Sequence, residues 1–202
     1  MKSLRNKKDK VIQLPGPASD GNMSVEAALE KRESVRHFTS IPLTLSQISQ
    51  VLWAAQGITR NWGGRTAPSA GALYPLELYL ALPDGFFQYI PYNHQLLHIS
   101  DGNLIEALAA AALGQQCMRE SPAIIVIAAV YKRVEQKYKQ RGERYVKIEA
   151  GHAAQNILLQ AVSLGIGAVP VGAFYDDEVR RVLSLPADHE PLYLISLGNM
   201  GE

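Results

Sequence analysis

The sequence has a single cysteine, Cys117. An intrachain disulfide, a CxxC redox pair and a cysteine-ligated zinc cluster are therefore excluded. One free thiol is typical of a protein in a reducing compartment, so we expect a cytoplasmic protein. A lone thiol without a surrounding catalytic motif is more often a small buried side chain than a nucleophile, and we assign Cys117 no role.

Long hydrophobic runs are also lacking. The longest, residues 123–130, is far shorter than the roughly 20 residues that a membrane-spanning helix needs. The first ten residues are basic, but no apolar stretch follows them, which argues against a signal peptide. We therefore expect a soluble protein with no membrane partner.

The chain has no marked excess of charge of either sign, with 20 Lys and Arg against 19 Asp and Glu. Without an overall positive field there is no reason to expect nucleic acid as a partner. Any role of positive charge must therefore be local.

The length of 202 residues suits one domain with a full core. Residues 1–22 are polar and interrupted by Pro and Gly, which predicts an arm rather than a folded element. Residues 23–202 are predicted to form one domain. Its β-branched, apolar run at 123–130 predicts a central strand that is covered on both faces.

Local signals predict the remaining elements. Ser24 is a typical N-cap of a first helix through about Arg32, and Thr44 with Gln47 predicts a capping box for a second helix that ends at Gly57. Further predicted elements are strands at 76–82, 86–90, 95–99, 168–174 and 191–197, a helix from Asp101 to about Gly114, a helix from about Val134 to Leu164 with an interruption near Gly142, and a helix from Asp176.

Two short segments carry the chemistry. The first holds Arg32, Ser34 and Arg36, and two guanidinium forks beside a hydroxyl suit a phosphate and a polyhydroxyl chain. The alternative interpretation is that the two arginines only stabilise the C-terminal end of the first helix, where positive charge complements the helix dipole. The second segment, residues 68–75, places small residues between two prolines, which lets the backbone approach a flat ring closely.

A third segment, residues 167–174, follows these two in the order found in a known family. Together the three segments resemble the nitroreductase family and, within it, the SagB-type dehydrogenase branch. The resemblance implies an α+β, nitroreductase-like fold with a central mixed sheet flanked by helices, an obligate homodimer, and FMN as the cofactor.

The resemblance also implies which residues contact the cofactor. Arg32 and Arg36 would hold the phosphate and the ribityl chain, with Arg36 also near the pyrimidine edge of the ring, and a backbone N–H of the third segment would point at flavin N5. The implied FMN-binding residues are Arg32, Glu33, Ser34, Arg36, Pro68, Ser69, Ala70, Gly71, Leu73, Pro170, Val171, Gly172 and Ala173. For Ser69 and its neighbours the alternative is a proline-initiated turn, and for Gly172 it is a strand that ends in a bulge.

Lys137 and Tyr138 lie where some azoline-oxidising members of the branch carry a functional Lys-Tyr pair. The resemblance implies that they are catalytic, because a lysine beside a phenol can assist deprotonation of a substrate carbon. The alternative is a solvated helix face. His152 has no companion ligand at i+4, so we predict a core histidine and no metal site.

The helix over residues 151–164 is apolar almost all round, which predicts that a second subunit covers part of it. Many nitroreductases also have a basic C-terminal tail at the phosphate, which does not follow Gly198 here, so the phosphate is expected to depend on Arg32 and Arg36.

These features predict an FMN-dependent oxidoreductase that transfers hydride through flavin N5 from NAD(P)H to nitroaromatic, quinone or similar acceptors. One alternative is a SagB-type dehydrogenase that oxidises azolines to azoles in a peptide. An alternative of another class is a non-catalytic module that binds or stores flavin.

Overall fold

The computed structural model describes residues 11–201. Their core is one seven-stranded sheet in the order β1-β4-β3-β2-β5-β7-β6. The strands are β1 (Val11–Gln13), β2 (Leu76–Leu82), β3 (Gly85–Ile90), β4 (Gln95–Asp101), β5 (Ala123–Ala129), β6 (Gly167–Val171) and β7 (Glu190–Gly198). Every neighbouring pair is antiparallel. The α+β prediction is confirmed, but the sheet is antiparallel rather than mixed.

Helices cover both faces of this sheet. They are α1 (Val25–Lys31), α2 (Leu45–Gln56), α3 (Ile105–Ala111), α4 (Gln116–Arg119), α5 (Lys132–Tyr138), α6 (Arg141–Ser163) and α7 (Asp176–Leu183). One core cluster joins α2 and α6 to the sheet, and a second joins α3, α4 and α7 to its other face. Within the described residues, none of the helices is both long enough and apolar enough to cross a bilayer.

Strand β5 is an inner strand of the sheet, between β2 and β7. All seven of its residues are buried, and its alternate side chains enter different core clusters, Ile125 and Ile127 on one face and Ile124 and Val126 on the other. Continuous β-branched residues suit a strand with two covered faces. This prediction is confirmed.

The predicted caps are also confirmed. The Ser24 hydroxyl accepts a hydrogen bond from the Ala27 amide, and Thr44 and Gln47 form a reciprocal capping box. Helix α2 ends at Gly57, whose N–H donates to the Trp53 carbonyl. Such caps satisfy backbone groups that the helix leaves unpaired. They join residues only a few positions apart, so the local sequence is enough to predict them.

Four predicted boundaries need correction. Residues 11–13 are not part of an arm, because β1 pairs with β4 and Leu14 is buried. Residues 1–10 lie outside the described residues. The domain boundary at residue 23 stays a prediction. Asp101 ends β4 instead of starting a helix, and the Asn103 side chain accepts from the first amide of α3.

The other two concern Gly142 and β6. The helical break lies at Lys139, whose φ is +52°, while Gly142 lies inside α6. A Cβ at Gly142 would be 3.3 Å from the Glu135 backbone nitrogen, so this glycine permits close packing of two helices rather than a break. Strand β6 ends at Val171, where its pairing with β7 stops.

Helix α6 is buried along one face only. Ala150, Ala153 and Ile157 are in the core, whereas Ile148 is 46% exposed and His152 is exposed. The prediction of a core histidine is therefore wrong. One face of α6 is therefore not covered by the rest of the chain. Many of the apolar residues in this helix are small, and small apolar residues can remain at the surface.

Candidate functional site

The Arg32–Arg36 segment leaves α1 and runs alongside β6. Arg32 is the C-cap, with extended backbone angles, and its N–H still donates to Ala28. Two contacts of Val35 then fix the position of the segment: its N–H donates to the Ala168 carbonyl at 3.0 Å, and its side chain packs where Gly167 has no Cβ. The segment is therefore pinned to the start of β6.

The side chains of this segment differ in exposure. Val35 packs against the core, while Arg36 and Glu33 are exposed and Arg32 is half-buried. Arg36 donates to the Ser34 carbonyl at 3.3 Å. Among residues 11–201, neither arginine forms an ion pair with a carboxylate. Two arginines of one short segment that have no carboxylate partner within the described residues can bind an anionic group such as a phosphate.

Residues 68–75 form an unusual turn that leads into β2. Gly71, Ala72 and Tyr74 have φ values of +63°, +53° and +46°. The Ser69 hydroxyl accepts a hydrogen bond from the Tyr74 N–H at 2.9 Å, and the Ser69 carbonyl accepts from the Ala72 N–H at 3.0 Å. Left-handed backbone at residues other than glycine is unfavourable and is found most often at functional sites.

The same turn contacts the predicted catalytic pair. A Cβ placed on Gly71 would lie 2.8 Å from the Tyr138 hydroxyl and 2.9 Å from Lys137 Nζ. The Lys137 ammonium lies 5.4 Å from the centre of the Tyr138 ring, and Tyr145 packs edge-on against that ring at 5.0 Å. The structure thus brings Lys137 and Tyr138 to Gly71, although the three are far apart in sequence.

The third segment begins inside β6 and ends outside it. Pro170 and Val171 pair with β7, whereas Gly172 and Ala173 are exposed beyond the end of the strand. The nearest atom to a Cβ at Gly172 would be a ring carbon of Tyr193, 3.6 Å away. Small exposed residues at this place leave the backbone accessible to a ring.

Within one chain these segments form two separate groups. The first contains residues 32–36 and β6, and the second contains residues 68–75 with Lys137 and Tyr138. Strands β5 and β7 lie between β2 and β6, which corresponds to three strand spacings, about 14 Å. Within one chain, the residues of each group lie together, but the two groups lie apart.

One buried carboxyl group beside the second group was not predicted from the sequence. Glu149 of α6 is 2% exposed, and among the described residues its Oε1 has no hydrogen-bond partner. Burial raises the pKa of Glu149 to about 7, while Ser69 and the Arg65 guanidinium act in the opposite direction. An acidic residue on the apolar face of a helix, just before Ala150, was the signal that could have found it.

A polar cleft of about 580 Å³ adjoins this turn. Its wall includes Ala72 and Tyr74 of the turn together with Arg65, Glu77 and Arg133. At its mouth, Trp62 is 71% exposed and Tyr92 is 86% exposed. The volume is in the range of small-molecule sites, so a substrate could reach the turn through this cleft.

Comparisons with known proteins agree on one family. The sequence profile described as "Nitroreductase family" matches residues 29–199. A protein of Methanocaldococcus jannaschii, assigned by its name to the nitroreductases, is 45% identical over 193 residues, which cover 93% of this chain and 95% of that protein. A solved structure from Ralstonia eutropha, also assigned by name to the nitroreductases, has a TM-score of 0.87 at 32% identity and covers 98% of this chain and 93% of its own.

More distant relatives are named for peptide processing. The microcin B17-processing protein McbC of Escherichia coli is 24% identical over 132 residues, 60% of this chain and 48% of McbC. The E. coli microcin synthetase McbBCD complex with truncated pro-MccB17 contains a chain of the same fold, with a TM-score of 0.73 at 22% identity, covering 97% of this chain and 80% of that one.

Proposed function

Because the chain belongs to the nitroreductase family and is an oxidoreductase of that family, we propose that it uses FMN to transfer hydride from NAD(P)H to a nitroaromatic, quinone or similar acceptor. The observation that carries the proposal is that the half-buried Arg32 and the exposed Arg36 lie on a segment hydrogen-bonded to β6 and have no carboxylate partner among residues 11–201.

The residues present fit a flavin. Gly71 provides a surface that a Cβ would block, and Gly172 and Ala173 leave their backbone exposed. Arg32 and Arg36 would hold the phosphate and the ribityl chain, and residues 68–71 and 73 and residues 170–173 would contact the ring. A bound flavin accepts a hydride from a donor and passes it to an acceptor.

We further propose that two copies of the chain complete each site. The first and second groups of site residues are separated by β5 and β7, so a partner is needed to bring residues 68–73 of one copy against Arg32 and Arg36 of the other. The exposed face of α6, where Ile148 is 46% exposed and His152 is also exposed, offers a surface for that contact. Sedimentation should report a dimer, and a monomer that retains flavin would contradict this arrangement.

Lys137 and Tyr138 would then act in proton transfer beside the flavin ring. The Tyr138 hydroxyl near Gly71 would exchange a proton with the substrate, and the Lys137 ammonium lies 5.4 Å from the centre of the Tyr138 ring. Tyr145 limits the movement of the Tyr138 ring by edge-on packing. The buried thiol of Cys117 agrees with a reducing cytoplasm as the location.

The second candidate function is oxidation of an azoline to an azole in a peptide. It is favoured by the contact of the Lys137–Tyr138 pair with the Gly71 turn and by the resemblance to McbC, which is named as a microcin-processing protein. In this reaction the pair would remove a proton from the substrate carbon. A flavin-storage module is the candidate of another class.

One experiment separates these functions. The purified protein should be yellow, and anaerobic addition of NADH or NADPH should bleach the flavin absorbance if it is a reductase. Persistent colour, followed by bleaching with an azoline-containing peptide, would favour the dehydrogenase. Colour that neither reductant nor peptide removes would indicate storage, and failure to bind added FMN would contradict the proposal as a whole.

A further inference from the structure

We propose that Arg133 and Arg65, which lie outside the predicted site, are positioning residues that hold the turn from Ser69 to Tyr74 in its flavin-binding shape. The inference rests on the proposed function, because it assigns a purpose to a turn that the flavin would contact. Both arginines contact Tyr74, the last residue of that turn.

The turn needs external support because its own backbone is unfavourable. Three of its last four residues have positive φ, and two of these, Ala72 and Tyr74, are not glycine. Its two internal hydrogen bonds both end on Ser69, one on the hydroxyl and one on the carbonyl. A left-handed residue persists only where surrounding structure compensates for its strain.

Arg133 of α5 supplies the first external contact. Its Nη1 donates to the Tyr74 carbonyl at 3.0 Å, and its Nη2 forms an ion pair with Glu77. Glu77 also accepts a hydrogen bond from Gln88 at 2.9 Å, which fixes the carboxylate on the sheet. A guanidinium can serve two acceptors at once because its donors point in fixed directions.

Arg65 supplies the second contact, from the loop after α2. Its guanidinium lies 4.4 Å from the centre of the Tyr74 ring, and its backbone N–H donates to the Tyr74 hydroxyl at 3.3 Å. Nη1 of Arg65 donates to Gln56 at 2.8 Å, and Gln56 is completely buried. Arg65 therefore contacts the ring and the hydroxyl of Tyr74, whereas Arg133 contacts its carbonyl.

Helix α5 reaches the turn at two places. Arg133 near its start binds the Tyr74 carbonyl, and Lys137 and Tyr138 at its end contact Gly71. One short helix thus links the shape of the turn to the place of the predicted catalytic pair. Loss of the Arg133 contact should make the turn more mobile, but it removes no group that would touch the flavin ring.

The first test measures the turn without any need for activity. Hydrogen exchange followed by NMR would be recorded for the amides of Ala72 and Tyr74 in the purified protein and in Arg133→Met. We expect exchange at both amides to accelerate by about tenfold or more, because local opening becomes easier. Arg144→Met, which changes an exposed arginine of α6, is the matched control and should leave both rates unchanged.

The second test measures FMN affinity and the melting temperature of the same proteins. Arg133→Met should bind FMN about tenfold more weakly while its melting temperature changes by only a few degrees. Arg133→Lys keeps the charge but cannot serve both acceptors, so it should fall between the parent and Arg133→Met. If Arg133→Met does not fold, the FMN affinity of Arg133→Lys tests the proposal: an affinity equal to that of the parent would contradict the positioning role.

The outcomes separate the two proposals. Unchanged exchange at Ala72 and Tyr74, or unchanged FMN affinity in a parent that binds FMN, would overturn the positioning role. A parent that does not bind FMN would contradict the proposed function, while the exchange rates would still show whether Arg133 holds the turn.

Discussion

The position of a Cβ on Gly71 lies 2.8 Å from the hydroxyl of Tyr138. Any side chain at residue 71 must therefore displace the phenol or the neighbouring lysine. Because the φ of Gly71 is also +63°, this glycine is required for both backbone and space. The contact between the turn and α5 therefore joins the proposed flavin-binding segment to the proposed catalytic pair.

Gly71→Ala should destabilise the protein by about 1–3 kcal/mol and should also lower turnover, because the new Cβ moves Tyr138 and Lys137. Gly165→Ala is the matched control: its φ is +67°, but no atom lies within 4 Å of the added Cβ. Urea unfolding and steady-state kinetics of both variants would separate backbone strain from displacement. Equal turnover in the two variants would show that the contact at Gly71 has no catalytic role.

Tyr138→Phe should lower turnover by about a hundredfold, in the range typical of general acid–base groups. The ring stays packed against Tyr145, so flavin retention and melting temperature should remain those of the parent. Both acceptor reduction and azoline oxidation would be assayed, with Tyr175→Phe, an exposed tyrosine, as the control. Unchanged rates in both assays would remove Tyr138 from the mechanism.

Arg32→Ala should weaken FMN binding by about 1.5–3 kcal/mol through loss of a charge-assisted contact. This corresponds to roughly a tenfold to 150-fold rise in Kd, measurable by fluorescence titration. Lys31→Ala removes an adjacent exposed cation at the end of α1 and should have little effect. If both variants bind FMN as tightly as the parent, the phosphate does not lie at Arg32.

Glu149→Gln should change how stability depends on pH. The pKa of Glu149 is raised from 4.5 to about 7 by burial, so the folded protein binds more protons than the unfolded chain between these values. The contribution of Glu149 to stability is therefore greatest below pH 4.5, falls as pH rises to 7, and is constant above it, with a total loss of about 3 kcal/mol.

Urea unfolding of parent and Glu149→Gln from pH 5 to pH 8 would measure the difference. The free energy of unfolding of the parent should decline relative to the variant as pH rises. Glu135→Gln, an exposed carboxyl group on α5, should follow the parent at every pH. Parallel curves for parent and Glu149→Gln would mean that the carboxyl group is already ionised at pH 5.

The errors in the sequence predictions share a cause. Asp101 has the chemistry of a helix cap, yet it pairs with Gly85 in the sheet, and the Asn103 side chain accepts from the first amide of α3 instead. Gly142 resembles a helix break, yet it permits contact with α5. In each case the residue has two common uses, and long-range packing decides between them.

The helix caps at Ser24 and Thr44, the buried strand β5 and the three family segments could be predicted from the amino-acid sequence alone, because they depend on neighbouring residues and on apolar periodicity. The fold was needed to show that Lys137 and Tyr138 contact Gly71, that Arg65 and Arg133 contact Tyr74, and that Glu149 is buried beside Ser69. Those relationships join residues that are distant in the chain, and their geometry depends on how the helices dock on the sheet.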